Sequence, residues 1–230
     1  MENKFMNELK KGILYIVATP IGNLGDVTLR ALEILKSVDW IACEDTRVTK
    51  KLLDKYEIQT RTLSYHQHTK NKRTEEIIEK LKNGENVALV TDAGTPGVSD
   101  PGNALVEEAI KNEIKVSPIP GATALSALVS VAGIDMQKFV FLGFPPHKKG
   151  RQTFFKEALD FKIPVVYYES PYRLLKNLEL LRELNCSKNF IIGRELTKIF
   201  EEVARGNVDE MIEYFSQKEK IKGELVAILY

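Results

Sequence analysis

Three side-chain-poor turns stand out for the chemistry they permit: TPIGNLGD at 19–26, TDAGTPGVSDPG at 91–102 and IPGATA at 119–124. Each follows an apolar run. Glycine at a strand end lets backbone N–H and C=O groups reach a ligand with no side chain between, so three such turns at one sheet edge would line a single cleft. The stretch LVTDAGTPGVSDPG, residues 89–102, is the most extreme, because its glycines and prolines fix a backbone path that a simple chain reversal does not need. None of the three fits the dinucleotide fingerprint G-x-G-x-x-G or the Walker A pattern, and no Lys-Ser/Thr pair follows the glycines, which disfavours a nucleoside-triphosphate enzyme. The acids inside the turns also have structural readings. Asp100-Pro101 reads as a helix start, with Asp as N-cap and Pro at the first helical position, and Asp26 can cap the helix after Gly25 in the same way.

Turns of this kind work only if strands present them together. The apolar patterning predicts strands over 13–18, 40–43, 86–91 and 115–119, alternating with helices over 29–38, 49–56, 74–84 and 101–112. Runs apolar on both faces imply a mostly parallel sheet covered by helices, in which ligands bind beyond the carboxyl ends of the strands. After Pro118 and Pro120 the pattern restarts with an apolar helix over 122–132, strands near 139–142, 163–168, 189–193 and 224–230, and helices near 151–159, 172–184 and 208–216. The expectation is an α/β protein of two domains, 1–118 and 119–230, hinged around 117–121.

Composition bounds the rest. With 43% hydrophobic and 28% charged residues among 230, the chain reads as folded and soluble, and its net charge of +1 neither demands nor excludes a nucleic-acid partner. Cys43 and Cys186 lie far apart and read as reduced core thiols, not as a disulfide or metal site. The N-terminus has no apolar core of a signal peptide. The weakly polar run ATALSALVSVAGI from Ala122 is too short to span a bilayer, so the expectation is a cytoplasmic protein with no membrane attachment.

The segments LYIVATPIGNLGDVTLRALEILKSVDWIACEDTR, TDAGTPGVSDPG, IPGATA, YYESPYR and GRELTKIFEE resemble, in order, the motifs of the ribosomal RNA small subunit methyltransferase I branch of the tetrapyrrole methylase superfamily. The resemblance runs from about Gly12 to the C-terminus, and GTPGVSDPG with CEDTR is specific to this branch. It implies two α/β domains with an S-adenosylmethionine-binding cleft between them, the class III methyltransferase arrangement. It also implies a homodimer that methylates a cytidine ribose 2'-hydroxyl in the decoding region of 16S rRNA, within the 30S subunit. By motif position Ala93, Gly94, Thr95, Val98 and Ser99 would contact the cofactor from the first domain, with Pro20 behind and Ala122 and Thr123 from the next turn. The first domain would carry that part of the site and RNA-facing loops, the second the remainder and the dimer contacts. Two stretches depart from the family pattern, SYHQHTKNKR at 64–73 and GFPPHKKGR at 143–151, and both read as RNA-facing loops.

Methyl transfer from a sulfonium is a direct displacement, so positioning is the main requirement; a ribose hydroxyl is a weak acid and gains from a carboxylate or a nearby cation. Glu44, Asp45 and Asp100 are the candidate bases, and Arg47 and Lys198 the candidates to stabilise an oxyanion or hold a phosphate. Against these stand a strand end capping the next helix for Glu44 and Asp45, and ion pairs with acids such as Glu195 or Glu201 for the cations. Basic residues cluster at Arg47, Lys50, Lys51 and Lys55, at Lys70, Lys72 and Arg73, and at Lys148, Lys149 and Arg151, beside His66, His68 and His147. Lys148, Lys149 and Arg151 are the candidate RNA contacts; solvated helix starts are the plainer account of such runs. His66-x-His68 lacks a third ligand and reads as a loop pair, not a metal site. In YYESPYR, Ser170 and Pro171 read as a cap and first-turn proline, while family position turns Glu169 and Arg173 toward the cleft. Two alternatives accompany this reading: a precorrin methyltransferase of the same superfamily, and a non-enzymatic S-adenosylmethionine- or RNA-binding assembly factor.

Overall fold

The computed structural model describes residues 11–66, 70–100 and 102–230; His68 and Pro101 lie outside these. The chain forms two compact units, residues 1–123 and 124–230.

In the first unit five parallel strands, β1 (Ile13–Val17), β2 (Trp40–Cys43), β3 (Arg61–Ser64), β4 (Val87–Val90) and β5 (Lys115–Ile119), lie in the order β3-β2-β4-β1-β5. Helices α1 (Leu29–Ser37), α2 (Thr46–Lys55), α3 (Lys70–Lys82) and α4 (Asn103–Lys111) connect them. Both faces are covered, and the strands alternate between two cores. Leu14, Ala42, Val87 and Leu89 pack with Ile77, Ile78 and Leu81 of α3 and Leu105 and Ala109 of α4. Val17, Ile41, Cys43, Ala88 and Val90 pack with Ala31 and Leu35 of α1 and Leu52 and Leu53 of α2. This split follows from right-handed crossovers: β1→β2→β3 moves one way across the sheet and β3→β4→β5 the other, so the helix pairs fall on opposite faces. The connections leaving the adjacent strands β1 and β4 therefore diverge, and such a switch point opens a crevice at the strands' carboxyl ends.

The second unit is a mixed sheet of β6 (Val140–Phe141), β7 (Val165–Glu169), β8 (Phe190–Arg194), β9 (Glu202–Gly206) and β10 (Leu225–Leu229), in the order β6-β7-β10-β8-β9. Only β6 and β7 pair in parallel; β10 runs antiparallel to both neighbours and β8 to β9. Helices α6 (Arg151–Asp160), α7 (Leu174–Glu183) and α8 (Val208–Ser216) cover one face through Phe155, Leu178, Leu181, Met211 and Phe215. The short helix α5 (Ala124–Ser130) sets Leu128 against Gly193, where even a Cβ would come within 2.9 Å of the leucine.

Three expected caps are corrected. A single 3-10 turn, Leu24–Asp26, consumes Asp26, and α1 is capped by Thr28, whose hydroxyl accepts from the Ala31 N–H at 3.1 Å. Helix α4 begins at Asn103, with Gly102 as N-cap at φ 147°, so Asp100 falls before the cap. Helix α7 begins at Leu174 after a turn in which the Ser170 carbonyl accepts from the Arg173 and Leu174 N–H groups; Ser170 heads that turn and is not the N-cap.

Candidate functional site

The three glycine turns meet at the carboxyl ends of β1, β4 and β5. Thr19 and Gly94 exchange two backbone hydrogen bonds, 2.8 and 3.0 Å, joining the first turn to the second. The Thr19 hydroxyl donates to the Thr91 carbonyl at 3.1 Å, and the Thr95 hydroxyl donates to the Ala122 carbonyl at 3.1 Å, joining the second turn to the third. Two glycines make this approach possible. Gly94 sits at φ 79°, a left-handed conformation that a side chain would strain, and a Cβ on Gly121 would lie 2.9 Å from that of Ala18. Ser99 also holds a left-handed backbone, φ 66°, uncommon for a residue with a side chain and typical of built loops.

The eight residues expected at a cofactor divide by burial. Pro20 and Gly94 are buried, Ala93, Thr95, Val98, Ala122 and Thr123 half-buried, and Ser99 exposed. Among the described residues no group of three or more His, Cys, Asp or Glu forms a metal site.

Beside the turns, at the ends of the neighbouring strands β2 and β4, stand three carboxylates. Asp45 caps α2: its side chain accepts from the Arg47 N–H at 2.8 Å and pairs with the Arg47 guanidinium at 2.6 Å. That guanidinium, with the backbone N–H groups behind it, draws the Asp45 carboxyl down to about 2. The Asp45 backbone N–H donates to Asp92 Oδ1 at 3.0 Å. Glu44 is raised from its ordinary value, first by burial and then by the negative charge of Asp92, with His66 acting in the opposite sense. Asp92 is itself raised, mainly by burial. Sequence reading passed over Asp92 although it stands in the quoted stretch; only the order β2-β4 places it against Glu44 and Asp45.

The remaining candidates sit elsewhere. Asp100 is half-buried near the end of the second turn. Lys198, in the second unit, binds Glu195 at 2.8 Å and Glu224 at 3.0 Å, so an ion-pair role of the kind expected for it is realised, with Glu224 in place of Glu201. Lys148 and Lys149 are exposed and Arg151 is the first residue of α6.

A family model for Tetrapyrrole (Corrin/Porphyrin) Methylases matches residues 13–212, from β1 into α8. The chain belongs to the tetrapyrrole methylase family. It is 46% identical over 220 residues to ribosomal RNA small subunit methyltransferase I of Synechocystis sp., covering 95% of this chain and 78% of that protein. The protein of the same name from Thermotoga maritima is 44% identical over 218 residues, covering 95% and 98%. Among solved structures, cobalt precorrin-4 methyltransferase superposes with a TM-score of 0.70 at 15% identity, covering 94% of each chain, which shows a common fold.

Proposed function

We propose that this protein uses S-adenosylmethionine to methylate the 2'-hydroxyl of a cytidine ribose in the decoding region of 16S rRNA, acting in the cytoplasm as a homodimer on the 30S subunit. The observation that carries this reading is the hydrogen-bonded union of three glycine turns at a switch point, in a chain with relatives named ribosomal RNA small subunit methyltransferase I over nearly its whole length. The turns suit a nucleoside donor because they are poor in side chains, are joined to one another by hydrogen bonds, and would be strained by a side chain at Gly94. In this assignment the segments 93–95, 98–99 and 122–123 hold the donor and Pro20 backs them. When bound, S-adenosylmethionine supplies a methyl group on a positively charged sulfur, open to displacement by an oxygen.

The chain's own residues supply position and a proton acceptor. Environments that push neighbouring carboxyls apart in pKa mark out acid–base roles. Asp45, held low by Arg47 and occupied in capping α2, orders the corner. Glu44 and Asp92, both raised, are the stronger bases and the groups assigned to receive the hydroxyl proton, with Asp100 a hydrogen-bond acceptor nearby in sequence. Arg47, whose side chain is 88% exposed, keeps donors for an RNA phosphate.

The test is transfer of label. Radiolabelled S-adenosylmethionine is incubated with the protein and 16S rRNA, 30S particles or a precorrin. Label is expected in the rRNA, alone or assembled, on a cytidine ribose. Label in the precorrin alone would make the protein a tetrapyrrole methyltransferase, and label in no acceptor would make it a binding protein.

A further inference from the structure

The loops after β6 and β7 place two large rings in solvent, and the first of these loops runs on through Lys148 and Lys149 to Arg151. Phe144 is 51% exposed and Tyr172 82%. Because β6 and β7 run parallel, both loops leave from the same end of the sheet. The register continues past the strands through Leu142 N–H to Val166 O, 3.0 Å, and Tyr168 N–H to Gly143 O, 2.9 Å. Phe144 then leans on Tyr168, ring centroids 5.2 Å apart, and Tyr168 meets Phe141 edge-on at 5.1 Å. Arg173 Nη1 donates to the Pro145 carbonyl at 3.2 Å, tying the turn that carries Tyr172 to the loop that carries Phe144.

Beneath this surface lies a buried anchor. Glu169, 2% exposed, accepts from the Ser170 N–H and from Asn177 Nδ2, each at 2.6 Å, and so fixes the turn. The charges of Arg173 and, more weakly, Arg151 at the start of α6 act on Glu169 against the effect of its burial. Lys148 and Lys149, just before α6, are exposed.

Single exposed hydrophobic residues are ordinary on a protein surface. Two exposed rings on hydrogen-bonded neighbouring loops, one of them leaning on Tyr168, with Lys148, Lys149 and Arg151 following Phe144 in the chain, are a different matter. Aromatic faces are what unpaired bases stack on, whereas duplex RNA hides its base faces and offers only phosphates and sugar edges. We propose that Phe144 and Tyr172 form a stacking platform for unpaired RNA bases, with Lys148, Lys149 and Arg151 holding the adjacent phosphates. The inference rests on the rRNA reading above and narrows it: the RNA is gripped as an unpaired segment.

The test uses the full chain and a single-stranded oligoribonucleotide containing 2-aminopurine, with its duplex as competitor. The wild-type protein should prefer the single strand and quench the probe. Tyr172→Ala and Phe144→Ala should each weaken single-strand binding roughly five- to a hundredfold, abolish the quench and leave the salt slope intact, while Tyr172→Phe retains binding. Charge reversal of Lys148, Lys149 and Arg151 should instead flatten the salt dependence. Tyr172 is too exposed for its loss to disturb folding, and thermal unfolding reports whether Phe144→Ala does. If the alanine variants bind and quench like wild type while charge reversal weakens binding, the platform is refuted and the rRNA reading stands. If the wild-type chain binds neither RNA, the platform is refuted, and label transfer to rRNA or 30S particles decides the rRNA reading on its own.

Discussion

At the level of single side chains, the carboxylates at the ends of β2 and β4 are of two kinds. Asp45 is drawn low by Arg47 and stays ionised; Glu44 and Asp92 are raised, chiefly by burial, and hold a proton more readily. Glu44→Gln and Asp92→Asn are expected to lower turnover roughly a hundredfold, the usual scale of a lost general base, and to leave donor affinity unchanged. Asp100→Asn should have a smaller effect of the same kind. Steady-state rates with calorimetric donor binding check this, and wild-type turnover in a variant removes that residue from the chemistry. Glu44, Asp45 and the small-residue turns were legible in the sequence because acids and glycines at strand ends are rarely there for packing. Asp92 was not, since its neighbours come from strand order, and one residue's type carries no information about that.

Among the elements, the interior strands were the easiest to read. VALV in β4 and LVAIL in β10 are buried on both faces, so continuous apolar runs betray them. The two strands the sequence hid, β3 with RTLS and β9 with EVARG, are both sheet edges: each pairs on one side only and keeps polar residues toward water. An edge needs little hydrophobicity, so its sequence resembles a loop. The caps failed for a related reason, because Asp26 and Asp100 have the right side chains but the helices begin further along the chain, behind Thr28 and Gly102. The anchor at the end of β7 carries a prediction at this scale. Burial raises the Glu169 carboxyl in the folded protein, so the native state binds more protons than the unfolded chain above the ordinary carboxylate pKa, and stability declines as pH rises through that window. Glu169→Gln should flatten this decline, with Asn177 turning its otherwise unpartnered Oδ1 to the new amide. Glu169→Ala, which strands the Ser170 N–H and the Asn177 amide, should cost about 3 kcal/mol. Urea unfolding at about pH 5 and pH 7 measures both, and a glutamine variant with the wild-type pH dependence contradicts the assignment.

Across the whole molecule, two units each carry their own sheet and core, and the first is organised by crossover direction. The helix pairs of that unit lie on opposite faces because the chain reverses its direction of travel at β3, and the divergence at β1 and β4 follows. The mixed strand directions of the second sheet were not legible, because antiparallel and parallel strands that are buried on both faces read alike. Net charge was uninformative for the same kind of reason: +1 overall conceals the local set Lys148, Lys149 and Arg151. Among the described residues no helix is long and apolar enough to cross a membrane. The central claim is that main-chain groups of the three turns hold a sulfonium nucleoside. Isothermal titration of the full chain with S-adenosylmethionine and with its demethylated product tests it most directly: saturable one-site heat is predicted for both, lost when Gly94 is replaced by valine in a variant that still folds. No heat of association with either compound, or undiminished binding in the folded valine variant, would contradict it.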